Sequence, residues 1–208
     1  MTEVVNSTAP LESAIVTWYL DYQGAPLSLP DWPAGVSLLE AELPSPDLSQ
    51  FLFCAVGQHW RWYSRLSWDY AKWQTYLSSA DVRTWVLYQR GTPAGFVELV
   101  RHQDPTEGRP SVELKFFGLL PAFIGQGLGA LLASAAVALA QQWLADTEQA
   151  RVWLHTCSAD HPSALRTYQQ AGFVVIATTT EDNDIPADYP TAALAAPFVH
   201  SRLLYFKR

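Results

Sequence analysis

The feature that most constrains the fold is a strand that runs into a glycine-rich turn and then into a long helix. The segment begins at Phe117 and reads Phe-Gly-Leu-Leu-Pro-Ala-Phe-Ile-Gly-Gln-Gly-Leu-Gly-Ala-Leu-Leu, with Gly125, Gly127 and Gly129 in the turn. Glycine lets a backbone approach a ligand closely, and the first N–H groups of a helix have no acceptor within the helix. The turn therefore predicts a site for a phosphate or pyrophosphate at the helix N-terminus.

Two other phosphate-binding folds use a similar turn, and the sequence argues against both. A P-loop requires Gly-Lys followed by Ser or Thr, which this turn lacks. A dinucleotide-binding fold spaces its glycines differently, whereas Gly125, Gly127 and Gly129 alternate and a predicted hairpin comes before them. A tight strand-to-helix connection that binds no ligand stays open as an alternative.

The rest of the pattern predicts alternating strands and helices. The expected strands cover residues 85–88, 94–100, 112–119, 151–157, 173–177 and 202–206. The expected helices cover residues 69–77, with Ser67 as N-cap, 128 to about 146, and 163–170, ended by Gly172. Hairpins give antiparallel neighbours and helical crossovers give parallel ones. The predicted class is therefore α/β (α+β), with a mixed central sheet flanked by helices.

The first part of the chain is expected to be a loop-rich arm over residues 1–46, punctuated by prolines, with a short strand or helix near residues 14–22. The main folded domain is then expected to span residues 47–208. Helical character rises after residue 47, where aromatic residues cluster between Trp60 and Tyr76.

Composition narrows the function classes. The chain is 49% hydrophobic, enough for a real core, and its net charge of −7 argues against a nucleic-acid partner. Cys54 and Cys157 lack the spacing of metal ligands, so we expect free thiols and no metal. Residues 1–11 do not resemble a signal peptide and the apolar run at 128–139 is too short to span a bilayer, which predicts a soluble cytoplasmic protein without a membrane partner.

Two motifs together resemble the GNAT superfamily of N-acetyltransferases. The glycine turn that opens an alanine- and leucine-rich helix is similar to the family's acetyl-CoA signature. Downstream, Ala164-Leu-Arg-Thr-Tyr168-Gln-Gln-Ala-Gly172-Phe173 looks like the family's Ala-x-x-x-Tyr-x-x-x-Gly-Phe segment. The resemblance covers about residues 84–173. The chain departs from it at Ile124, where Arg or Gln is usual, and at His161, where Asn is usual.

The resemblance implies an enzyme that uses acetyl-CoA as co-substrate and transfers the acetyl group directly to an amine. It implies cofactor contacts from the strand end and from the turn, namely Phe117, Gly118, Leu119, Gly125, Gln126, Gly127, Leu128 and Gly129, with His161 at the second helix. The strand end would pair with the pantetheine arm and polarise the thioester carbonyl through a backbone N–H. Alternatives are a non-catalytic acyl-CoA-binding or sensing domain, and an acyltransferase for longer acyl groups.

The resemblance also implies two catalytic residues. Tyr168 lies where the family usually carries the general acid that protonates the leaving thiolate, although a tyrosine packed in the core is the alternative. Glu113 lies where several members carry a general base, and a carboxylate on so apolar a strand is unusual. Since strands alternate faces, Glu113 alternatively points to solvent, and Glu98 is then the substitute base.

Further candidates line the expected acceptor side. His155 and Cys157 share one face of a strand, so His155 is a candidate proton relay, and Cys157 is a weaker candidate nucleophile. Trp60 and Trp62 would form an aromatic wall for an amine, unless their cluster only packs helices on the sheet. The acidic residues of loop 181–190 would flank the entrance or simply be solvated. The aromatic region and the last strand would suit a homodimer, but nothing demands one.

Overall fold

A computed structural model describes residues 14–60, 62–103, 109–145 and 150–182. The described residues form seven strands, β1 to β7, at Ile15–Tyr22, Val36–Glu40, Val82–Gln89, Thr92–Gln103, Pro110–Leu119, Arg151–Cys157 and Phe173–Glu181. Their four α-helices, α1 to α4, span Pro46–Gly57, Tyr70–Leu77, Leu128–Trp143 and Ala164–Gln170.

The strands build a single mixed sheet in the order β2-β3-β4-β5-β6-β1-β7. Its neighbours are antiparallel except β5 and β6, which are parallel because the long helix α3 makes the crossover between them. The turn between β3 and β4 has positive φ at both Arg90 (51°) and Gly91 (80°), the geometry that suits a two-residue hairpin. The predicted class, a mixed sheet flanked by helices, is confirmed.

Helices cover the sheet on both faces, which explains why β4 and β5 are so apolar. The larger core cluster joins α3 to the sheet through residues such as Leu132, Ala136 and Leu114. The smaller cluster joins α1 to the other face through Leu52, Val56, Val86 and Phe96. Five of the six alanines of α3 are fully buried, and Ala130 in the first turn is exposed. Burial of the apolar surface of α3, at about 25 cal/mol per Å², outweighs the modest local preference for a helix.

Two strands come from the segment that the sequence predicted as a loop-rich arm. β1 lies inside the sheet between β6 and β7, and β2 forms one edge, whereas residues 23–35 between them contain no helix or strand. The pairing of β1 is long: Ile15 to Tyr22 match Glu181 to Phe173 across its register with β7. The segment 14–22 is thus a strand, and its contacts are with residues far along the chain.

Three local predictions need correction. Helix α2 is capped by Asp69, whose side chain accepts from the amide of Lys72 at 2.8 Å, and not by Ser67. Helix α3 ends at Trp143 rather than near residue 146, and α4 begins at Ala164 with Ser163 as its N-cap. The strand predicted at residues 202–206 lies outside the described residues, as do Asp184 and Asp188 of the acidic loop.

The two central strands separate as they approach the glycine turn. β5 and β6 pair only from Ser111 opposite Arg151 to Glu113 opposite Trp153, although β5 continues to Leu119 and β6 to Cys157. β4 still pairs with this later part of β5 on the other side, up to Leu119. The divergence opens a gap in the middle of the sheet, and the candidate site lies there.

Candidate functional site

The glycine turn presents unpaired main-chain donors to this gap. Gly125 and Gly127 have φ values of 83° and 79°, in the left-handed region that glycine adopts at no steric cost. Gly127 is the N-cap of α3 and offers no side chain to the amides of the first turn, which contains no acidic residue. Those N–H groups and the helix dipole remain available to an anion.

The gap is a cleft of about 600 Å³ enclosed by β5, the turn, β6, α4 and the segment before α2. Most of the predicted cofactor residues line it, namely Phe117, Gly118, Leu119, Gly125, Gly127, Gly129 and His161. The side chains of the other two turn from it: Gln126 donates its Nε2–H to the carbonyl of Ala122 at 3.0 Å, and Leu128 is buried in the core.

The last residues of β5 form one wall of the cleft, and this part of the strand packs closely on α1. A Cβ on Gly118 would lie 2.5 Å from Cγ1 of Val56 in α1, so only glycine lets the helix pack this closely on the strand. A Cβ on Gly125 or Gly127 would meet no atom within 4 Å, which means that open space lies in front of the turn. This side of the cleft therefore combines a closely packed strand with open space in front of the glycine turn.

Tyr168 of α4 lies in the cleft lining and is 7% exposed. Its ring meets Phe117 edge-on at 5.4 Å and Phe173 at 6.2 Å, so the core fixes its direction. Burial, with the charge of Asp160 as a second cause, raises the pKa of Tyr168 well above its ordinary value. The phenol therefore keeps its proton at neutral pH.

Glu113 is 1% exposed and is not among the residues that line the cleft. Its carboxylate lies 2.9 Å from Nε2 of His102, 3.1 Å from Nδ1 of His155 and 3.2 Å from Nζ of Lys115. Burial raises the pKa of Glu113, but the hydrogen bond from His155 and the charge of Lys115 outweigh burial and hold the pKa below its usual value. His155 and Lys115 reach the cleft, so the buried carboxylate acts on it through them.

Glu98, the predicted substitute base, is engaged in a different cluster, which argues against that role. Both of its oxygens accept from the guanidinium of Arg65, at 2.8 and 2.7 Å, and Oε1 also accepts from the hydroxyl of Tyr76 at 2.7 Å. Arg65 is 4% exposed and Glu98 is 1% exposed. Glu98 is therefore held in a buried bidentate ion pair and is not among the residues that line the cleft.

The aromatic cluster divides into two parts with different roles. Trp68, Trp73, Tyr76 and Phe116 surround the guanidinium of Arg65, with ring centroids between 4.2 and 5.3 Å from its central carbon. For these rings the structure favours the alternative that the sequence left open, in which the aromatic cluster packs helices on the sheet. Trp60 and Trp62 instead line the cleft, together with Tyr63 of the same predicted cluster.

The segment that carries these two tryptophans contacts the loop between β6 and α4. The indole N–H of Trp62 donates to Oδ1 of Asp160 at 3.5 Å, and the ring of Trp60 meets the His161 ring edge-on at 4.9 Å. Asp160 in turn accepts from the amide of Cys157 at 3.0 Å and from the hydroxyl of Thr156 at 2.7 Å. These contacts connect the two sides of the cleft above the diverging strands.

Sequence reasoning missed Lys115 and Asp160. Lys115 carries the same signal as Glu113, a charge on an apolar strand, and it sits at an irregularity where Glu98 pairs with Phe116 while Leu99 pairs with Leu114. Residues two positions apart share a strand face, and Nζ of Lys115 donates to Oε1 of Glu113 at 3.2 Å. Asp160 precedes a helix, and its bonds to Thr156 and Cys157 depend on the turn after β6, which no spacing rule indicated.

Other candidates are placed as follows. Cys157 lines the cleft, but burial and the nearby Asp160 raise the pKa of its thiol, which disfavours the nucleophilic thiolate. Ile124 lines it too and is 37% exposed. Glu181 ends β7, away from the lining residues.

Within the described ranges, no helix is long and apolar enough to cross a membrane, and no group of three His, Cys, Asp or Glu side chains is arranged for a metal ion.

Comparisons with solved structures agree with this architecture. An aminoglycoside acetyltransferase from an uncultured soil metagenomic sample, in complex with trehalose, superposes with a TM-score of 0.52 at 18% identity over 66% of this chain and 87% of that one. A GCN5-related N-acetyltransferase from Kribbella flavida gives 0.51 at 21% identity over 82% and 60% of the two chains. A tandem GNAT protein of clavulanic acid biosynthesis gives 0.55 at 17%, and this chain spans 53% of it.

The sequence comparison extends the likeness from fold to family. No curated protein matches the chain. The model of the acetyltransferase (GNAT) family matches residues 41–173, a range that contains the glycine turn, the diverging strands and Tyr168. With well over half of its length matched, and with the signature turn in the predicted place, the chain belongs to the GNAT acetyltransferase family.

Proposed function

We propose that the protein is an acetyl-CoA-dependent N-acetyltransferase that acts on a primary amine of a small molecule or a protein. One observation carries the proposal: the glycine turn, the unpaired stretch of β5 and Tyr168 all line a single cleft of about 600 Å³. A donor made of a pyrophosphate, an extended arm and a thioester needs an anion site, a hydrogen-bonding edge and a proton donor. The cleft brings these three together.

The binding half of the proposal is supported by the main chain. The first-turn amides of α3 and the left-handed Gly125 and Gly127 suit the pyrophosphate, because nothing within 4 Å occupies the space before these two glycines. The edge of β5 from Phe116 to Leu119 is unpaired on the β6 side and suits the amide-bearing arm. Its unpaired N–H groups are also suited to donate hydrogen bonds to the thioester oxygen, as the amides of an oxyanion hole do.

The chemical half of the proposal is supported by Tyr168. The donor supplies an activated acetyl group, so the chain has to supply positioning and proton transfer. A tyrosine is protonated at neutral pH, and burial, which raises the pKa of Tyr168, keeps it so. We assign to this phenol the proton that the departing sulfur takes. Its ring is held by Phe117 and Phe173, which leaves the direction of the hydroxyl little freedom.

The acceptor half of the cleft is supported by its aromatic lining. Trp60, Trp62 and Tyr63 face the same space as His155 and Lys115. Aromatic faces attract cationic and apolar parts of an amine, and closing them over the acceptor would keep water from the thioester. Aminoglycosides belong in the amine panel because some structurally similar proteins are aminoglycoside acetyltransferases.

The test is calorimetric titration of acetyl-CoA into the wild type and two matched glycine variants. Gly127→Trp places a large side chain in the turn. Gly91→Trp is the matched control: its φ of 80° causes the same backbone strain and its Cβ also meets open space, but it lies in a hairpin outside the cleft. We expect Gly127→Trp to weaken binding by at least about tenfold, or 1.4 kcal/mol, relative to Gly91→Trp. Equal binding by the two variants, or none by the wild type, would contradict the proposal.

Turnover then separates an enzyme from an acyl-CoA-binding or sensing domain. Thiol release is followed with an amine panel, and Tyr168→Phe is expected to lower kcat about 10²-fold, because a positioned general acid contributes about that much. Acetyl-CoA affinity should stay within about threefold in this variant, since the phenyl ring keeps the packing against Phe117. Binding without thiol release for any amine would favour the sensing domain.

A further inference from the structure

We propose that His155 takes the proton from the acceptor's ammonium group at its Nε2 atom, and that Glu113 is the positioning residue behind it. The inference rests on the proposed acetyl transfer. It gives the role of general base to His155 instead of Glu113, which the sequence favoured.

The negative charge lies on the buried carboxylate of Glu113, whereas the side chain that lines the cleft is His155. Nδ1 of His155 lies 3.1 Å from Oε1 of Glu113, and Glu113 is 1% exposed. The side chain of His155 is 39% exposed and lines the cleft. A carboxylate against Nδ1 favours the tautomer with its proton there, which leaves the lone pair on Nε2 as the acceptor.

Glu113 itself has no oxygen to offer to the acceptor. Nζ of Lys115 lies 3.2 Å from Oε1, and Nε2 of His102 lies 2.9 Å from Oε2, so three side chains hold the buried carboxylate. Because its pKa is held below the usual value, Glu113 stays ionised at neutral pH. An ionised carboxylate stabilises the imidazolium that forms when His155 accepts a proton.

The groups around His155 leave it as the residue suited to exchange a proton at the cleft. Tyr19 of β1 faces His155, with 6.0 Å between the ring centroids, and so do Glu113 and Lys115 of β5. His102 of β4 is linked to His155 through Glu113. Lysine and tyrosine ordinarily keep their protons through neutral pH, whereas an imidazole exchanges its proton there. His102 does not appear in the lining of the cleft.

The step balances without a further reactant. The ammonium gives one proton to Nε2 of His155, which passes it to solvent. The amine nitrogen then forms a bond to the acetyl carbon while the carbon–sulfur bond breaks. The nitrogen releases its second proton to solvent, the sulfur takes a proton from Tyr168, and Tyr168 recovers one from solvent. The net products are an amide, a thiol and one proton.

The first test reads the tautomer directly. Long-range proton–nitrogen NMR of the imidazoles is recorded on the wild type and on Glu113→Gln, with His155→Gln to assign the signal. We expect the neutral His155 ring to carry its proton on Nδ1 in the wild type, and the tautomer to become mixed in Glu113→Gln. A wild-type ring protonated on Nε2 would overturn the proposal, since that atom could not accept a proton.

The second test measures kcat/KM for phenethylamine, a primary amine that suits the aromatic lining, from neutral to alkaline pH. His155→Gln is expected to lose about 10²-fold near neutral pH, and the loss should shrink at alkaline pH, where the amine sheds its proton unaided. Glu113→Gln is expected to lose about tenfold, and Glu113→Asp to recover part of that loss. A purely structural role would give a loss that does not depend on pH.

His102→Gln is the matched control, because His102 has the same residue type, the same partner and the same 39% side-chain exposure as His155. We expect its kcat/KM to change by the same factor at every pH, because His102 holds Glu113 but does not line the cleft and so cannot take the acceptor's proton. Equal losses for the two histidine variants, or a normal rate for His155→Gln, would overturn the base role. Failure of the wild type to bind acetyl-CoA or release thiol would instead overturn the proposed function.

Discussion

Glu98 and Glu113 lie on neighbouring strands, and each is 1% exposed, yet their surroundings differ completely. The partners of Glu98 are themselves enclosed: Arg65 is 4% exposed and is ringed by aromatic side chains. The partners of Glu113 are histidine and lysine side chains that are 35–39% exposed. Burial alone therefore does not distinguish a structural carboxylate from one coupled to a site, and the exposure of its partners does.

The physical reason lies in where the charge is neutralised. The guanidinium of Arg65 forms two short hydrogen bonds to Glu98, and Tyr76 adds a third, so the ion pair is complete inside the protein. Glu113 shares its charge with His155 and Lys115, which line the cleft, and with His102, which does not, so its state depends on what the first two groups bind. The predictions below separate these two situations.

The largest effect is expected from Arg65→Ala, because it leaves the carboxylate of Glu98 buried without its counterion. Removing one partner of a buried pair costs about 3–5 kcal/mol in the free energy of unfolding. The control is Asp81→Ala, which breaks the exposed pair with Arg101 and should cost less than about 1 kcal/mol. Urea unfolding measures both, and equal costs would show that the Arg65–Glu98 pair is not structural.

A smaller effect is expected from Tyr76→Phe, which removes the hydroxyl that donates to Glu98 at 2.7 Å. Hydrogen bonds to charged groups contribute about 1.5–3 kcal/mol, so the unfolding free energy should fall by that amount. Tyr168→Phe is the matched variant on the cleft side and should cost less than about 1 kcal/mol, because the ring packing on Phe117 and Phe173 is kept. Similar losses for both tyrosines would contradict the separation of roles.

The smallest effect is expected in the acid dependence of stability. The pKa of Glu113 is lowered from its ordinary 4.5, so its ionised form stabilises the folded state above that pH, and the contribution is lost as pH falls through the lower, folded value. Below pH 4.5 the unfolded chain holds a proton that the folded one lacks, and the unfolding free energy falls by up to about 1.4 kcal/mol per pH unit. Glu113→Gln should flatten this slope in acid urea titrations, whereas an unchanged slope would contradict the shift.

Much of the fold could be predicted because it depends on neighbours in the sequence. The β3–β4 hairpin, the strand before the glycine turn, and α3 are specified by turn residues and by apolar spacing within one segment. The glycine turn also indicated the position of the cleft, since positive φ at Gly125 and Gly127 is a property of those residues themselves. Tyr168 came instead from the resemblance to the GNAT family, which its Ala-x-x-x-Tyr-x-x-x-Gly-Phe segment carries.

The rest could not be predicted because it depends on residues far apart. Arg65 meets Glu98 across 33 positions, so no spacing rule excluded Glu98 as a base. β1 pairs with β6 and β7, more than 130 residues later, and its own sequence suits a strand or a helix. Such pairings follow from which surfaces meet when the sheet closes, and a single sequence does not show them.

By itself, the sequence determined that this protein has a mixed α/β architecture and a glycine-rich turn at the start of a long helix, because glycine conformation and apolar periodicity are local properties. Only the tertiary structure decided how the buried charges are paired. It enclosed Glu98 with Arg65, and it set Glu113 behind His155 at the point where β5 and β6 diverge. Electrostatic energies depend on distance and burial, and both are fixed only when distant segments come together.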